Sequence, residues 1–329
     1  MATRRSLSIT RVSVGEGCEY WRNGKRLRKR SDISRIEAIT IPPAWTNVEI
    51  SASATAKVQA RGRDAAGRAQ AIYHPGFRRH QERLKFARAE RFGQALPRLR
   101  AQVAKDLRRR KLSRRKVAAC VVFLMDKQLF RVGNQQYVEA NGSFGITTLH
   151  KKHLTIGKDR VRFDFRGKSG TSQRITIHDQ RTARLLAELM ELSGPSVFQF
   201  WEEDDEVPRP ITSNDVNAYI RHCLGKEFSA KDFRTWSGTV VAVQTLLEME
   251  ATDFMTKGQR AAAVRHMVAE VASKLGNTEA IARGSYIDPR VLEFAEHPRL
   301  LERLRAKKIP LRPYRTPSEQ KTLVLLKRS

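Results

Sequence analysis

The stretch Leu154-Thr155-Ile156-Gly157-Lys158-Asp159-Arg160-Val161-Arg162-Phe163-Asp164-Phe165-Arg166-Gly167-Lys168-Ser169-Gly170-Thr171-Ser172-Gln173-Arg174-Ile175-Thr176-Ile177 decides the fold. Apolar residues alternate with polar ones at Leu154 and Ile156, at Val161, Phe163 and Phe165, and again at Ile175 and Ile177. That is the period of strands with one buried face. Gly157-Lys158 and Gly167-Lys168-Ser169-Gly170 supply the turns between them, so the spacing predicts a three-stranded meander with Lys168 at a hairpin tip.

On both sides of this meander the period changes to that of helices. Upstream, Gln81 to Arg110 carries Leu84, Phe86, Phe92, Leu96 and Leu99 among many basic residues. Downstream, His178 to Leu192, Asp215 to Leu224, Thr235 to Met249 and Gln259 to Leu275 have apolar residues three and four apart. Gly276 reads as the C-cap of the last of these, and Thr278 as the N-cap of a short helix with Tyr286 in its final turn. The N-terminal text is different: from Gly15 to Tyr73, short β-like runs are broken by Asn23-Gly24 and Ile41-Pro42-Pro43, with alternation at Val48-Glu49-Ile50. The expected class is therefore α+β, with a small β-rich domain over 1–80, a mainly α-helical domain with a three-stranded sheet over 81–315, a hinge near His80 and an appended tail over 316–329.

A chain of 329 residues, 40% of them hydrophobic, can bury a substantial core. Its 63 Lys and Arg against 34 Asp and Glu give a formal charge of +29 spread along most of the chain, and the natural partner of such a surface is a polyanion. No apolar run approaches the roughly 20 residues needed to cross a bilayer, which favours nucleic acid over a membrane. Met1 to Thr10 lacks the apolar core of a secretion signal, so the cytoplasm is the expected compartment. Cys18, Cys120 and Cys223 stand far apart with no C-x-x-C pair, which indicates neither a disulfide framework nor a zinc ribbon.

Three words in the second domain carry the chemistry. They are Phe130-Arg131-Val132-Gly133, followed by Tyr137 and by Phe144-Gly145-Ile146-Thr147-Thr148-Leu149; Lys231-Asp232-Phe233-Arg234-Thr235-Trp236; and Ala282-Arg283-Gly284-Ser285-Tyr286. In order and spacing they resemble the active-site motifs of the small type IB DNA topoisomerases of viruses and bacteria. In the first domain, Ile41-Pro42-Pro43-Ala44-Trp45-Thr46-Asn47-Val48 and Gly62-Arg63-Asp64-Ala65-Ala66-Gly67-Arg68-Ala69-Gln70 resemble that family's DNA-clamping words. The resemblance runs from about Arg11 to Pro310. It implies a catalytic domain of the tyrosine recombinase and topoisomerase IB type, and a monomer that closes as a clamp on duplex DNA, preferably supercoiled. In a bacterium it would work at the nucleoid.

The resemblance also implies the roles. Tyr286 would attack a phosphodiester and form a 3′-phosphotyrosyl link, Arg131 and Arg234 would hold the non-bridging oxygens, and Lys168 would protonate the departing 5′ oxygen. A phenol titrates near 10 in water, so cationic neighbours must assist its ionisation or its proton must leave during attack. Two guanidinium forks can carry the charge that develops at phosphorus, a task for which many nucleases use a metal ion, so no metal or other cofactor is expected. The phosphotyrosyl ester preserves the energy of the broken linkage, so resealing needs no ATP. The family often has histidine nine residues before the tyrosine, where this chain has Asn277. Its amide can donate to a phosphate oxygen, without charge and without acting as an acid. Gln70 and Tyr73, and nearer the cleavage site Tyr137 and Thr148, are the implied DNA contacts.

Taken singly, each of these residues has a more ordinary reading: a solvated cation, a half-buried tyrosine, an asparagine cap. Gly167-Lys168-Ser169 lacks the first glycine of a phosphate-binding loop and joins two strands, which excludes an ATP site. His150 and His153 lack a nearby third ligand, and Glu202 to Glu206 reads as a solvated loop. Trp45 and Trp236 read as core anchors. Two rival functions share the charge: a tyrosine recombinase, for which a helical first domain would be expected, and a DNA-binding protein without a nucleophile.

Overall fold

The computed structural model describes residues 7–15, 17–202 and 206–327, and the chain divides into two compact units, 1–85 and 86–329. The first unit is built on strands β1 (Leu7–Val14), β2 (Gly17–Arg22) and β3 (Lys25–Arg26), helix α1 (Arg30–Glu37), and strands β4 (Thr46–Ser51), β5 (Val58–Arg63) and β6 (Ala69–Tyr73). These strands form one antiparallel sheet in the order β3-β2-β1-β4-β5-β6. Asn23 and Gly24, at φ 50° and 74°, form the two-residue loop between β2 and β3, the backbone geometry that suits the right-handed twist of a hairpin. Ile9, Val48, Ile50 and Ala60 join Ile36 of α1 in a small core. The Arg11 guanidinium reaches out of β1 and donates to the carbonyls of Pro42 at 3.1 Å, Pro43 at 3.2 Å and Trp45 at 2.6 Å. It thereby satisfies the acceptors of a Pro-Pro turn that can supply few N–H donors of its own. Trp45 packs against this core while staying half-buried.

Helix α2 (Pro75–Asp106) contains the division between the units, at Lys85 and Phe86, where the sequence had suggested His80. The second unit continues with α3 (Arg114–Gln128) and α4 (Gln135–Asn141), then the meander β7 (Leu154–Ile156), β8 (Arg160–Arg166) and β9 (Ser172–His178). Helix α5 (Gln180–Met190), the two-residue strands β10 (Gln199–Phe200) and β11 (Arg209–Pro210), and helices α6 (Ser213–Leu224), α7 (Ala230–Glu248) and α8 (Lys257–Leu275) follow. The chain closes with α9 (Glu279–Ser285), α10 (Pro289–Ala295), α11 (Pro298–Ala306) and α12 (Pro317–Leu326). Val161, Phe163 and Phe165 turn the inner face of β8 into the core against Phe130, while Arg160, Arg162, Asp164 and Arg166 stay exposed.

Helix α3 has no amphipathic period: Val117, Ala118, Ala119, Cys120, Val121, Val122, Leu124 and Met125 are all buried, on every side of the helix. Next to it Asp106 is fully buried and accepts from Gln102 at 2.8 Å, Arg109 and Arg115 at 2.9 Å, and the Tyr219 hydroxyl at 2.9 Å. Burial alone would raise its pKa; these four donors overcome that and hold it down at about 2.

The appended tail expected over 316–329 is not what the chain forms. Thr316 caps α12 by accepting from Glu319 N, and the Glu319 carboxylate accepts from Thr316 N, a reciprocal pair that starts the helix firmly. Leu323, Leu325 and Leu326 are buried in the second unit's core. Glu319 is itself buried, bound by both Nη atoms of Arg100 and lying 3.4 Å from Trp236 Nε1. Trp236, 1% exposed, is the core anchor that its position in the sequence suggested.

Candidate active site

Tyr286 stands at the C-cap of α9, one residue beyond its last turn, with Thr278 capping the other end through its bond to Ile281 N. Two residues of α7 fix its backbone. Gly238 faces it so closely that an added Cβ would lie 2.7 Å from Tyr286 O and 2.8 Å from Tyr286 Cβ. Thr239 Oγ1 lies 3.2 Å from Tyr286 O, to which it can donate, and accepts from Asp288 N at 3.2 Å. Arg234 sits one turn earlier on the same helix, its guanidinium carbon 5.4 Å from the centroid of the Tyr286 ring. The i, i+4 spacing of Arg234 and Gly238 is what puts cation and tyrosine on one side of α7.

Arg234 is buried at 7% exposure, and its Nη1 donates to Leu129 O at 2.7 Å while Nη2 donates to Leu275 O. These carbonyls end α3 and α8, where helices leave acceptors unsatisfied and where a cation is favoured. Gly276, at φ 57°, then turns the chain out of α8 and presents Asn277. Arg131 Nη2 donates to Asn277 Oδ1 at 2.7 Å and to Gly276 O at 3.3 Å. The backbone around Arg131 is held by the Phe-Gly-Ile-Thr word: Ile146 N donates to Arg131 O at 2.9 Å and Thr147 N to Val132 O at 2.9 Å. Gly145 permits this approach, since a Cβ there would stand 2.5 Å from Gly133 backbone atoms.

Two donors in this cluster are buried without an acceptor, Asn277 Nδ2 and Arg234 Nε. Such groups are costly unless a ligand supplies the missing acceptor. The electrostatics agree. Burial, then the nearby charge of Arg234, pushes the Arg131 pKa down to about 10, against an opposing pull from Tyr286; Arg131 thus remains a cation at neutral pH. Burial lowers that of Arg234 too, again opposed by Tyr286. Two partly dehydrated cations, with the spare donors of Arg234 and Asn277 beside them, form a receptor for an oxyanion.

Lys168 is exposed in the turn Lys168–Gly170 between β8 and β9 and lines, with Arg131 and Arg234, a cavity of about 420 Å³. Arg131, Arg234, Asn277 and Tyr286 therefore meet, with Lys168 on the wall of the adjoining cavity. The other candidates lie outside this cluster. Tyr137 is 58% exposed on α4. Thr148 is half-buried, and its hydroxyl accepts from Gly145 N at 2.9 Å, so it closes the local turn that supports Arg131. Gln70 and Tyr73 belong to the first unit: Gln70 donates to Asp64 Oδ2 at 2.8 Å, and Tyr73 is 40% exposed with its ring 5.4 Å from that of Phe77.

The alternative sites read as structure. His153 Nδ1 accepts from His150 N at 3.0 Å and its ring packs 4.5 Å from Phe144, which makes the pair a turn closure against an aromatic. In the acidic run, residues 203–205 lie outside the described residues, and Glu202 pairs with Arg114 and with Arg209.

Comparison with known proteins decides the family. Residues 74–297 match the family model described as eukaryotic DNA topoisomerase I, catalytic core, and residues 20–64 match that for the bacterial DNA topoisomerase IB N-terminal domain. The chain belongs to the type IB DNA topoisomerase family. DNA topoisomerase 1B of Acanthamoeba polyphaga mimivirus is 30% identical over 283 residues, 84% of each chain. DNA topoisomerase 1B of vaccinia virus (strain Copenhagen) is 24% identical over 187 residues, 55% of each. DNA topoisomerase 1 of Mycosarcoma maydis is 25% identical over 189 residues, 52% of this chain and 18% of that one. As a type IB topoisomerase the protein is an isomerase that acts on DNA, and neither the recombinase nor the non-catalytic reading is favoured. Gly238 and Thr239, which position the tyrosine in this topoisomerase, escaped the sequence reading. An isolated glycine inside a helical pattern was the available signal.

Proposed function

We propose that the protein relaxes supercoiled duplex DNA by cutting and resealing one strand with Tyr286. The observation that carries this reading is the convergence on Tyr286 of Arg131, Arg234 and Asn277, two of which hold buried donors without acceptors. The Tyr286 oxygen attacks phosphorus while its proton leaves to solvent. Arg131, Arg234 and the Asn277 amide bind the non-bridging oxygens as charge builds on them. The bond to the 5′ oxygen breaks, and Lys168 supplies the proton that oxygen needs. The 3′-phosphotyrosyl ester retains the linkage it replaced, so the 5′ hydroxyl reverses the step without ATP, and superhelical strain drives rotation between the two events. No part of the scheme calls for a metal ion.

The protein acts in this proposal as a monomer, its two units clamping duplex DNA, with Gln70, Tyr73 and Tyr137 among the contacts and the nucleoid as its place of work in a bacterium. Phosphate neutralisation by a chain of charge +29 makes binding weaken steeply with salt. The test is to trap the adduct on a duplex whose short cleaved strand diffuses away, digest the protein and identify the modified peptide. A 3′-phosphate on Tyr286 is the expected result; an adduct elsewhere or at a 5′ end contradicts the scheme.

A further inference from the structure

Gln173 joins the active site without any role assigned to it above. It lies on β9 opposite Phe165 of β8, half-buried, and lines the same cavity as Arg131, Lys168 and Arg234. Its side chain lies close to two glycines. A Cβ added at Gly167 would stand 2.9 Å from Gln173 Cγ, and one added at Gly276 would stand 3.5 Å from its Nε2 and 3.8 Å from its Oε1. Each glycine immediately precedes a candidate site residue, Gly167 before Lys168 and Gly276 before Asn277. The Gln173 carboxamide makes no hydrogen bond among the described residues, so nothing ties it to β9's own ladder.

From this juxtaposition we infer that Gln173 is a positioning residue, a spacer that sets the root of the Lys168 hairpin against the Gly276-Asn277 turn. The inference rests on the reading of Lys168 as general acid. The turn after β8 is short, and Lys168 is exposed within it, so its ammonium is placed by what supports that root. Gln173 Cγ stands next to Gly167, and its carboxamide stands next to the Gly276 turn that presents Asn277. Removing the side chain frees the hairpin to wander by about the width of a methylene or two, and misplacement on the order of 1 Å costs roughly a hundredfold in rate. The loss falls on protonation of the departing oxygen, with attack by Tyr286 and neutralisation by Arg131, Arg234 and Asn277 intact.

A leaving group that needs no proton isolates that step. Single-turnover cleavage is measured on a duplex with a mapped cleavage site, carrying either the ordinary bridging 5′ oxygen or a bridging 5′ sulfur, whose thiolate departs unprotonated. Gln173→Ala is expected to slow cleavage about tenfold to a hundredfold on the oxygen substrate and to cleave the sulfur substrate at close to the unsubstituted rate. Lys168→Ala is expected to show the same pattern with a larger loss. Gly167→Ala, which crowds the Gln173 side chain, is expected to be slow on oxygen as well, and Gly167→Ala with Gln173→Ala no slower than Gln173→Ala alone. Gln173→Ala cleaving both substrates at the normal rate, or slowed equally on both, overturns the proposal. If Lys168→Ala is rescued by sulfur and Gln173→Ala is not, the proposal alone fails; if sulfur rescues neither, the general-acid reading fails and takes the proposal with it.

Discussion

Replacing Gly238 by alanine tests how Tyr286, the proposed nucleophile, is held. The new Cβ would lie 2.7 Å from Tyr286 O and 2.8 Å from Tyr286 Cβ. Carbon contacts become favourable only beyond about 3.5 Å, so the Tyr286 backbone must retreat by roughly 0.7 Å, and no flexible side chain can absorb the shift. Alanine in a helix interior is worth about 1 kcal/mol over glycine, whereas overpacking a core costs about 1–3 kcal/mol, so the two oppose each other and the melting temperature moves little. Catalysis has no such offset. A displacement near 1 Å costs roughly a hundredfold, about 2.7 kcal/mol in the barrier. The assay is single-turnover formation of covalent adduct on a duplex, with Gly258→Ala as the control, since a Cβ there meets nothing closer than Thr256 Oγ1 at 3.9 Å. Gly238→Ala cleaving as fast as the control would refute the reasoning that α7 sets the tyrosine.

Three further outcomes follow from the same geometry. Asn277→Ala removes the buried donor Nδ2 and the nearer of the two acceptors of Arg131 Nη2, and should slow adduct formation by about 10²-fold, while Asn277→His, which keeps an N–H donor, should retain most of the rate. Ending the chain at Arg315 strips α12 from the core; the loss of buried Leu323, Leu325 and Leu326 should lower stability by at least about 5 kcal/mol in urea unfolding, and Glu319→Gln, which leaves Arg100 with one carboxylate partner, Asp126, should account for a smaller part. Asp106, held down at about 2 by its four donors, stabilises the fold above the ordinary carboxylate pKa and loses that contribution as pH falls through about 2; Asp106→Asn should therefore cost about 3–5 kcal/mol at pH 7, with the gap to the unsubstituted protein closing in acid.

The parts of this fold that were legible in the sequence are those whose burial is one-sided. The β8 alternation of Val161, Phe163 and Phe165 against exposed arginines and Asp164 can be read directly, and so can the stripes of α5 through α8 and the caps at Gly276 and Thr278. Helix α3 left no such trace because it is surrounded by core, and a helix buried on all sides has no period to detect. Helix α12 was lost for a different reason. Its apolar run Leu323-Val324-Leu325-Leu326 is only one turn long, although Thr316-Pro317-Ser318-Glu319 does spell a capping box with proline at the first helical position. Strand β1 begins at Leu7, before the Gly15 at which the β-rich text was expected to start, since Ile9 alone of its early residues is buried.

At the candidate site, Arg131, Lys168, Arg234, Asn277 and Tyr286 stand out in the sequence through their flanking words, whereas the means of holding them do not. Leu129 O and Leu275 O orient Arg234 through backbone acceptors, which any residue carries, so no side chain announces them. Gly133 and Gly145 matter for a close approach of the segments on either side of α4, and Gln173 stands out only by its nearness to Gly167 and Gly276. Such roles depend on tertiary proximity, and a pattern read along one strand or helix does not contain it.

In the proposed scheme Tyr286 performs a reversible, metal-free strand transfer. The most direct measurement is relaxation of supercoiled plasmid without ATP and with EDTA present, comparing the natural chain with Tyr286→Phe and assaying both for an SDS-trapped covalent DNA adduct. Relaxation and adduct in the natural chain, both lost in Tyr286→Phe while plasmid binding persists, is the result the account predicts; relaxation that survives the substitution, or that EDTA abolishes, contradicts it.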